Sequence, residues 1–559
     1  MLIIKAIMCA AVLTTTGESD LVTVKGVIRD EHGEITAAKI NVVDSEGKYI
    51  PPAGHPEIVS SARWGGPASR REKLFEFKDE NDFIGIEFDK KRDDNKEIRE
   101  VFYAYVDGKF EFKAAPGTEL TIEAVKGIEY YPGTTNYVVP AKDSELDIRL
   151  KRWRDMNADG WYSGDDHVHF LPPKTAHIEA RAEDLDVINV LVTLWGDWGE
   201  TSREFFTGKI HEMSTPDCQV FYGEEYRNDS YGHLSVLGLR ELLSPISSGN
   251  GTAGTTGGVD YPCNTTAAKT MKDSGGHVSC SHFEIAPGRE YPMLAHYGVV
   301  DSIELLCCTD PNKMWNKTSK LRPLPDPATE KYYHLLNCGF KLPVAAGTDK
   351  MMASAAAGSN RVYVNLDGEF TYDTWLKGLT AGRSFVTNGP IIEFSMDGKS
   401  VGDVISIKPG EKKTLTITAA AESRYAFDRL ELLKDGKVIA SDTASDGGLR
   451  ARINMKVDVS ESSWFAARCL GECEPMRSRH FGKPDIPVFA HTSPVYVDVP
   501  GKPCVYRKSA EYNVKYIDAA VEAVTKLQHY LNEEQKNEVL GIFARAREFY
   551  QALATKATR

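Results

Sequence analysis

The segment WYSGDDHVHF, residues 161–170, decides how this chain is read. Trp161 and Tyr162 stand on one side and Phe170 and Leu171 on the other, as in a strand entering a core. Between them lie Asp165, Asp166, His167 and His169. Burying such side chains is costly unless they are paired or bind something. Residues two apart on a strand share a face, so Asp165, His167 and His169 are expected together, with Asp166 and Val168 opposite. Neutral imidazoles side by side are good ligands for zinc, manganese or iron. A carboxylate behind them, here Asp165, can orient a ring through its second nitrogen. A hydrogen-bonded core pair is the alternative for an isolated HxH.

Further donors follow in the middle of the chain. From 160 to 390, strand-like runs alternate with helical ones. LDVINVLVTLW, GGHVSCSHF, VDSIELLCC and LPVAAGTD read as buried strands of a parallel sheet or barrel. EKYYHLLNCGF reads as a helix ended by Gly339. In such folds the chemistry gathers at the C-terminal ends of the strands. There the chain offers Glu224 or Glu225, then His233, in GEEYRNDSYGHLSVLGL; His282 in GGHVSCSHFE; and Asp349 in VAAGTDK. A carboxylate bridging two ions among imidazoles is a usual donor set of a multinuclear hydrolytic centre. Repetition at separate strand ends argues against a core pair.

Composition sets the outer limits. At 559 residues the chain exceeds what one core supports, so several domains are expected. It is 42% hydrophobic and 26% charged, ordinary for a soluble globular protein. A net charge of -13 argues against a nucleic-acid binder, which would show a basic stripe; the partner expected of the multinuclear hydrolytic centre is a small-molecule substrate. Residues 1–20, MLIIKAIMCAAVLTTTGESD, resemble a short export signal cleaved near Gly17, which implies a periplasmic or secreted protein. A frayed first strand or a misplaced start is the alternative. No run reaches the roughly 20 apolar residues of a membrane-spanning helix. The ten cysteines form no CxxC pairs; Cys469 and Cys473 suit a local disulfide, and Cys307-Cys308 reads as buried thiols.

The expected organisation is multidomain, α/β plus β. Residues 21–152 read as an N-terminal β-sandwich: LVTVKGVI alternates, Asp107-Gly108 turns, and Phe110 and Phe112 share a face, as do Leu120, Ile122 and Ala124. Residues 51–100, Pro-rich and then charged, read as a surface excursion. Residues 153–390 form the α/β region. Residues 391–500 read as a second, immunoglobulin-like β-sandwich, with KTLTITAAAE alternating and Asp435-Gly436 turning a hairpin. Residues 501–559 read as a helical hairpin. Ile517, Ala520, Val521, Val524, Leu527 and Leu531 mark one apolar face; Val539, Phe543, Ala546, Phe549 and Leu553 mark the other. Asn532, with Gln535 three residues on, suits a helix cap. The hairpin is expected to pack on a neighbouring domain or, in a homo-oligomer, on a second subunit.

The order GDxHxH, GxE, GH, strand-SH and GTD resembles the PHP-type metallohydrolases, above all the CehA/McbA group, whose known members hydrolyse carbamate esters such as carbaryl. NCGFKLPVAAGTD, GSNRVYV, FTYDTWLKGLTAGRSFVTNGP and AHTSPVYV share the resemblance, which spans residue 101 to about 500. It implies a distorted (β/α)7 barrel with divalent ions held by His167, His169, Glu225, His233, His282 and Asp349. Glu225 is preferred to Glu224 because the family pattern has one residue between Gly and Glu. The implied activity is a metal-activated water attacking an ester, carbamate or amide bond. Phosphoesterase chemistry on the same fold, or a non-catalytic exported binding protein on a degenerate barrel, are the alternatives.

The chain also departs from the wider family. LWGDW, residues 194–198, replaces a TDH tripeptide, and Met351 stands where many members end in histidine. Indole offers no lone pair and a thioether is a poor donor for such ions, so two ions are expected rather than three. Asp197 reads as a substitute ligand, a base, or a loop carboxylate. Arg227, Arg361 and Arg383 are candidates to neutralise an oxyanion or anchor a substrate carboxylate, and Arg361 equally suits backbone carbonyls. His177, His211 and His277 are spare histidines, better suited to packing or solvent than to ligation. Residues 247–262, rich in Gly and Thr, read as a lid or a surface insertion.

Overall fold

In a computed structural model, residues 21–55, 85–87, 102–194, 199–228, 231–249, 258–283, 288–314, 323–351, 355–472, 486–557 and 559 are described. The candidate export segment, most of the 51–100 excursion, Asp197, Cys473 and residues 250–257 of the Gly/Thr-rich stretch lie outside them.

The alternation of the first 150 residues does build two small sheets. β1 (Val22–Arg29) lies between antiparallel β5 (Lys109–Ala114) and parallel β9 (Ser144–Arg149). The second sheet runs β3 (Gly85–Glu87), β4 (Phe102–Val106), β2 (Ala38–Asp44), β6 (Glu119–Val125), β8 (Gly133–Val138). Every second residue of β5 is buried, so Phe110, Phe112 and Ala114 meet Val24, Ile40, Leu120 and Ile122 in one core. A short pairing of β7 (Tyr130–Tyr131) with β10 (Lys151–Arg152) leads into the central region.

There β11 (Trp161–His169), β12 (Val187–Leu194) and β14 (Gln219–Asn228) run parallel, with β13 (Glu200–Thr201) short and antiparallel on β12. β12, VINVLVTL, is an almost unbroken apolar run buried on both faces, as a parallel strand covered on each side must be. β14 turns back into β15 (Gly232–Leu237), which pairs antiparallel with β16 (His277–Cys280). β17 (Ser302–Leu306) and β18 (Val344–Ala346) continue in parallel. β19 (Lys350–Met351) and β20 (Arg361–Asn365) return to pair with β11, so the sheet curls into a half-barrel.

Among the described residues five helices share the cores around this sheet: α1 (Pro173–Ala182), α2 (Asn264–Asp273), α3 (Tyr291–Tyr297), α4 (Ala328–Leu336) and α5 (Tyr372–Thr380); α3 packs on α2 rather than directly on a strand. The fold is therefore mixed α/β and mostly strand. α4 ends at Leu336, three residues before the expected Gly339, whose φ of 89° supplies the left-handed exit.

The ladder does not stop at residue 390. β21 (Ser384–Thr387) pairs with β20 and also with β29 (Phe489–Thr492), so hydrogen bonding runs on into the C-terminal strands. These are β23 (Val404–Ser406), β25 (Arg429–Lys434), β26 (Lys437–Thr443), β28 (Ser463–Leu470) and β30 (Val495–Asp498). A three-stranded sheet, β22 (Ile391–Met396), β24 (Lys413–Glu422) and β27 (Arg450–Val459), shares a core with them. The boundary read at 390/391 is thus crossed by pairing that covers an otherwise bare strand edge.

The tail forms α6 (Arg507–Leu527) and α7 (Glu533–Lys556). Asn532 Oδ1 accepts the Gln535 N–H at 2.9 Å, and Gln535 Oε1 accepts the Leu531 N–H at 3.0 Å. Ile517, Val524, Val539, Phe543 and Tyr550 pack with Tyr231, Cys263 and Met293 of the central region. Leu531, read as part of the apolar face, is instead 73% exposed, because α6 ends before it. Among the described residues no helix is long and apolar enough to cross a membrane.

Candidate metal centre

β11 does not keep its alternation to the end. Its register on β12 slips between Asp165 and Val168, a bulge that re-aims the side chains around it. His167 and His169 still converge, with Nε2 atoms 3.1 Å apart. Asp165 does not orient either ring, which corrects the role expected of it. Its carboxylate accepts the backbone N–H groups of His167 (3.1 Å), Thr348 (3.0 Å) and Gly358 (2.8 Å), and the Thr348 hydroxyl (2.6 Å). It ties the end of β11 to the loops around β19.

The ring partner is Glu304, in β17. Both of its carboxylate oxygens lie 3.2 Å from His167 Nδ1, and it also accepts the His282 backbone N–H. One buried carboxylate thus touches two candidate ligands from different strands. Asp166 also lies close by, so it does not point away from the cluster as alternation predicts. A Cβ on Gly347 would fall 2.4 Å from His167 Cβ, 2.5 Å from Asp166 Oδ1 and 2.7 Å from Glu304 Oε1, so only glycine lets β18 pass this close. Burial, and then the neighbouring Glu304 charge, push Asp166 well above the usual carboxylate range. Glu304→Gln is expected to weaken metal binding about 10- to 100-fold, as loss of such a ring partner usually does. Competition with a chelator reads this, and unchanged affinity would refute the assignment.

Glu225 sits between two groups of donors. Its Oε1 lies 2.9 Å from His233 Nδ1, 3.4 Å from His282 Nε2 and 3.5 Å from His167 Nε2. Its Oε2 lies 3.5 Å from His169 Nε2. Asp349 Oδ1 is 3.5 Å from His169 Nε2 and 3.7 Å from His167 Nε2. His233 Nδ1 and His282 Nε2 are 3.0 Å apart. Donors ~2.1 Å from a common ion, at right to tetrahedral angles, lie ~3.0–3.4 Å from one another. The His167–His169, His233–His282 and Glu225–His282 spacings lie in that range and Glu225–His233 just below it, while the contacts of Asp349 and of Glu225 with His167 and His169, at 3.5–3.7 Å, are slightly wider. The cluster could hold a metal ion, with His167, His169 and Asp349 on one side, His233 and His282 on the other and Glu225 between them. All are buried except Asp349, which is half-buried. His282 and Asp349 have left-handed backbones, with φ of 29° and 45°, a strain that collects at functional sites.

The charges suit a cation. Burial opposes ionisation of Glu225, but Arg227 and then His233 hold it well below the usual carboxylate range. Burial brings His169 down to about 4 and His233 to about 3, so both rings are neutral donors at pH 7. Burial opposes charge on His167, but Glu304 overcomes it and raises that ring well above its ordinary value. Arg227 reaches the cluster: its Nη1 lies 3.1 Å from Glu225 Oε2. Cys308, beside buried Cys307, donates its thiol to Asp349 Oδ2 at 3.1 Å.

Glu224 faces elsewhere and accepts the Leu243 N–H at 2.8 Å. Burial raises it from 4.5 to about 8, so it is mostly protonated at neutral pH. The folded chain then keeps a proton that the unfolded chain has lost. That contribution to stability is complete below pH ~4.5 and is lost as pH rises to about 8. Glu224→Gln is expected to flatten this decline in denaturant midpoints measured from pH 5 to 8. An undiminished slope would place its source in other groups.

The remaining candidates lie elsewhere. Arg383 pairs with exposed Asp367, and its carbonyl bonds Asn365, which faces Trp161 at the opposite end of β11 from the histidines. The anion-anchoring role expected of it at this centre is therefore corrected. Arg361 donates to the carbonyls of Gly358, Asp184 and Glu183. His177 lies 3.0 Å from the Thr215 hydroxyl, and His211 packs on Tyr222. His277 has both nitrogens 2.8 Å from hydroxyls, of Thr380 and Ser302. Sequence reasoning missed Glu304 and Cys308. A lone glutamate inside the apolar run SIELLCC was the available signal.

No protein-family model matches the chain, and no curated protein matches it.

Proposed function

We propose that this protein is a PHP-type metal-dependent hydrolase of the CehA/McbA kind, with a distorted (β/α)7 barrel flanked by two β-sandwiches. Its bond class is an ester, carbamate or amide. The observation that carries this reading is Glu225, shared between two buried sets of donors at or near ligand spacing. His167, His169 and Asp349 would hold one divalent ion, His233 and His282 a second, with Glu225 common to both. When bound, such a pair of zinc, manganese or iron ions supplies an acidified water and a polarised electrophilic oxygen.

The chain's own residues prepare that chemistry. Glu304 holds the Nδ1 side of His167, which turns the Nε2 lone pair towards the other donors. Arg227 keeps Glu225 ionised and fixes one of its oxygens. The Cys308 thiol steadies Asp349. Arg227 is already engaged with Glu225, so it gives a phosphate dianion little additional charge; this favours an uncharged electrophile over a phosphoester.

Aryl esters, carbamates and phosphoesters, offered to chelator-treated and metal-restored protein, test the reading. Carboxyl or carbamoyl hydrolysis lost on chelation and restored by metal is the expected result. Phosphoester hydrolysis alone would move the assignment to the sister chemistry. Protein that neither binds metal nor hydrolyses any of these would overturn it.

A further inference from the structure

A groove of about 960 Å3 opens at the other end of the curled sheet from the histidine cluster. It is lined by Phe221 near the start of β14, His277 at the start of β16, Asp301 just before β17, and one face of α5. Its volume is within the roughly 300–1,000 Å3 of small-molecule sites. The rings of Phe221 and Tyr372 stack at 4.6 Å and 9° to close its floor. Leu376 and Ile210 add apolar wall, and Ile210 is 36% exposed. Glycines keep it open: a Cβ on Gly238 would meet Leu376 Cδ2 at 2.6 Å, and one on Gly208 the Arg240 carbonyl at 2.3 Å.

The lining of the groove is net cationic. Lys209, Arg240 and Lys377 line it, all exposed, and none of the three is in an ion pair among the described residues. Lys272 is paired with Asp301. Against these four cations stand two lining carboxylates, Asp301 and Asp373, which leaves a local excess of two positive charges. The chain as a whole carries -13. Uncompensated cations around an apolar cleft of an acidic protein are complementary to a ligand with an apolar body and an acidic head.

We infer that this groove is a second binding site, for a small amphipathic anion such as an aryl carboxylate or sulfonate. The apolar body lies against Leu376 and Ile210, and the acid group faces Lys209, Arg240 and Lys377. The inference stands apart from the hydrolase reading, because no candidate metal ligand lines the groove.

Calorimetric titration of the full-length protein with 1-naphthalenesulfonate, and with neutral 1-naphthalenemethanol, tests it. The sulfonate is expected to bind one per chain, and the alcohol to bind much more weakly. The exposed triple variant K209E/R240E/K377E should weaken sulfonate binding about tenfold or more, since each cation contributes modestly and three act together. H167A/H169A should leave it unchanged. Sulfonate binding that survives the charge reversal, that is matched by the alcohol, or that is lost with the histidines would overturn the assignment. So would no binding at millimolar concentration.

Discussion

Replacing His167 and His169 together by alanine is expected to lower bound metal from about two ions per chain to at most one and to reduce hydrolysis to the chelated background. Both rings are buried, and both point an Nε2 atom at Glu225 and Asp349. No neighbouring side chain replaces two imidazoles at once. His277→Ala is the matched control, since it also removes a buried, hydrogen-bonded histidine, but one at the far end of β16. That variant should keep its metal. Metal analysis and a thermal melt of each protein separate lost ligation from lost folding. Full metal content in a folded double variant would sink the donor assignment.

The second large effect is that of Glu225→Gln. A carboxylate shared between two sets of donors holds two cations by its charge, and a neutral amide of the same shape does not. The variant is expected to fall to one ion or fewer, in stoichiometry and not only in rate. Glu224→Gln, one residue away on a strand whose faces alternate, should leave the metal count unchanged. The reverse ranking would mean that the wrong glutamate had been assigned to the centre.

Why this cluster of six side chains was legible in the sequence, and Glu304 was not, has a physical basis. His167, His169, Glu225, His233, His282 and Asp349 lie at or near the ends of apolar runs, where buried polar groups need a partner. Each therefore breaks the pattern around it. Glu304 lies inside a strand, and its partner His167 is 137 residues away, so no local spacing announces the contact. Asp165 was misread because a period of two assumes a regular strand, and one extra residue in β11 re-aims everything near it. Arg383 belongs to a stretch with the right motif, but β20 runs antiparallel to β11 and carries it to the wrong end of the sheet. The pairing of β21 with β29 joins segments about a hundred residues apart, so no local pattern announces it. Composition and alternation located the sheets; which edges met was decided by non-local pairing.

The most direct test of the centre is a count of its metal ions, by anomalous scattering on protein washed clear of loosely bound metal. Six donors, with Glu225 shared among the other five, predict two ions, one beside His167, His169 and Asp349 and one beside His233 and His282. No ion at this site in hydrolytically active protein, or a third fully occupied ion, would contradict it.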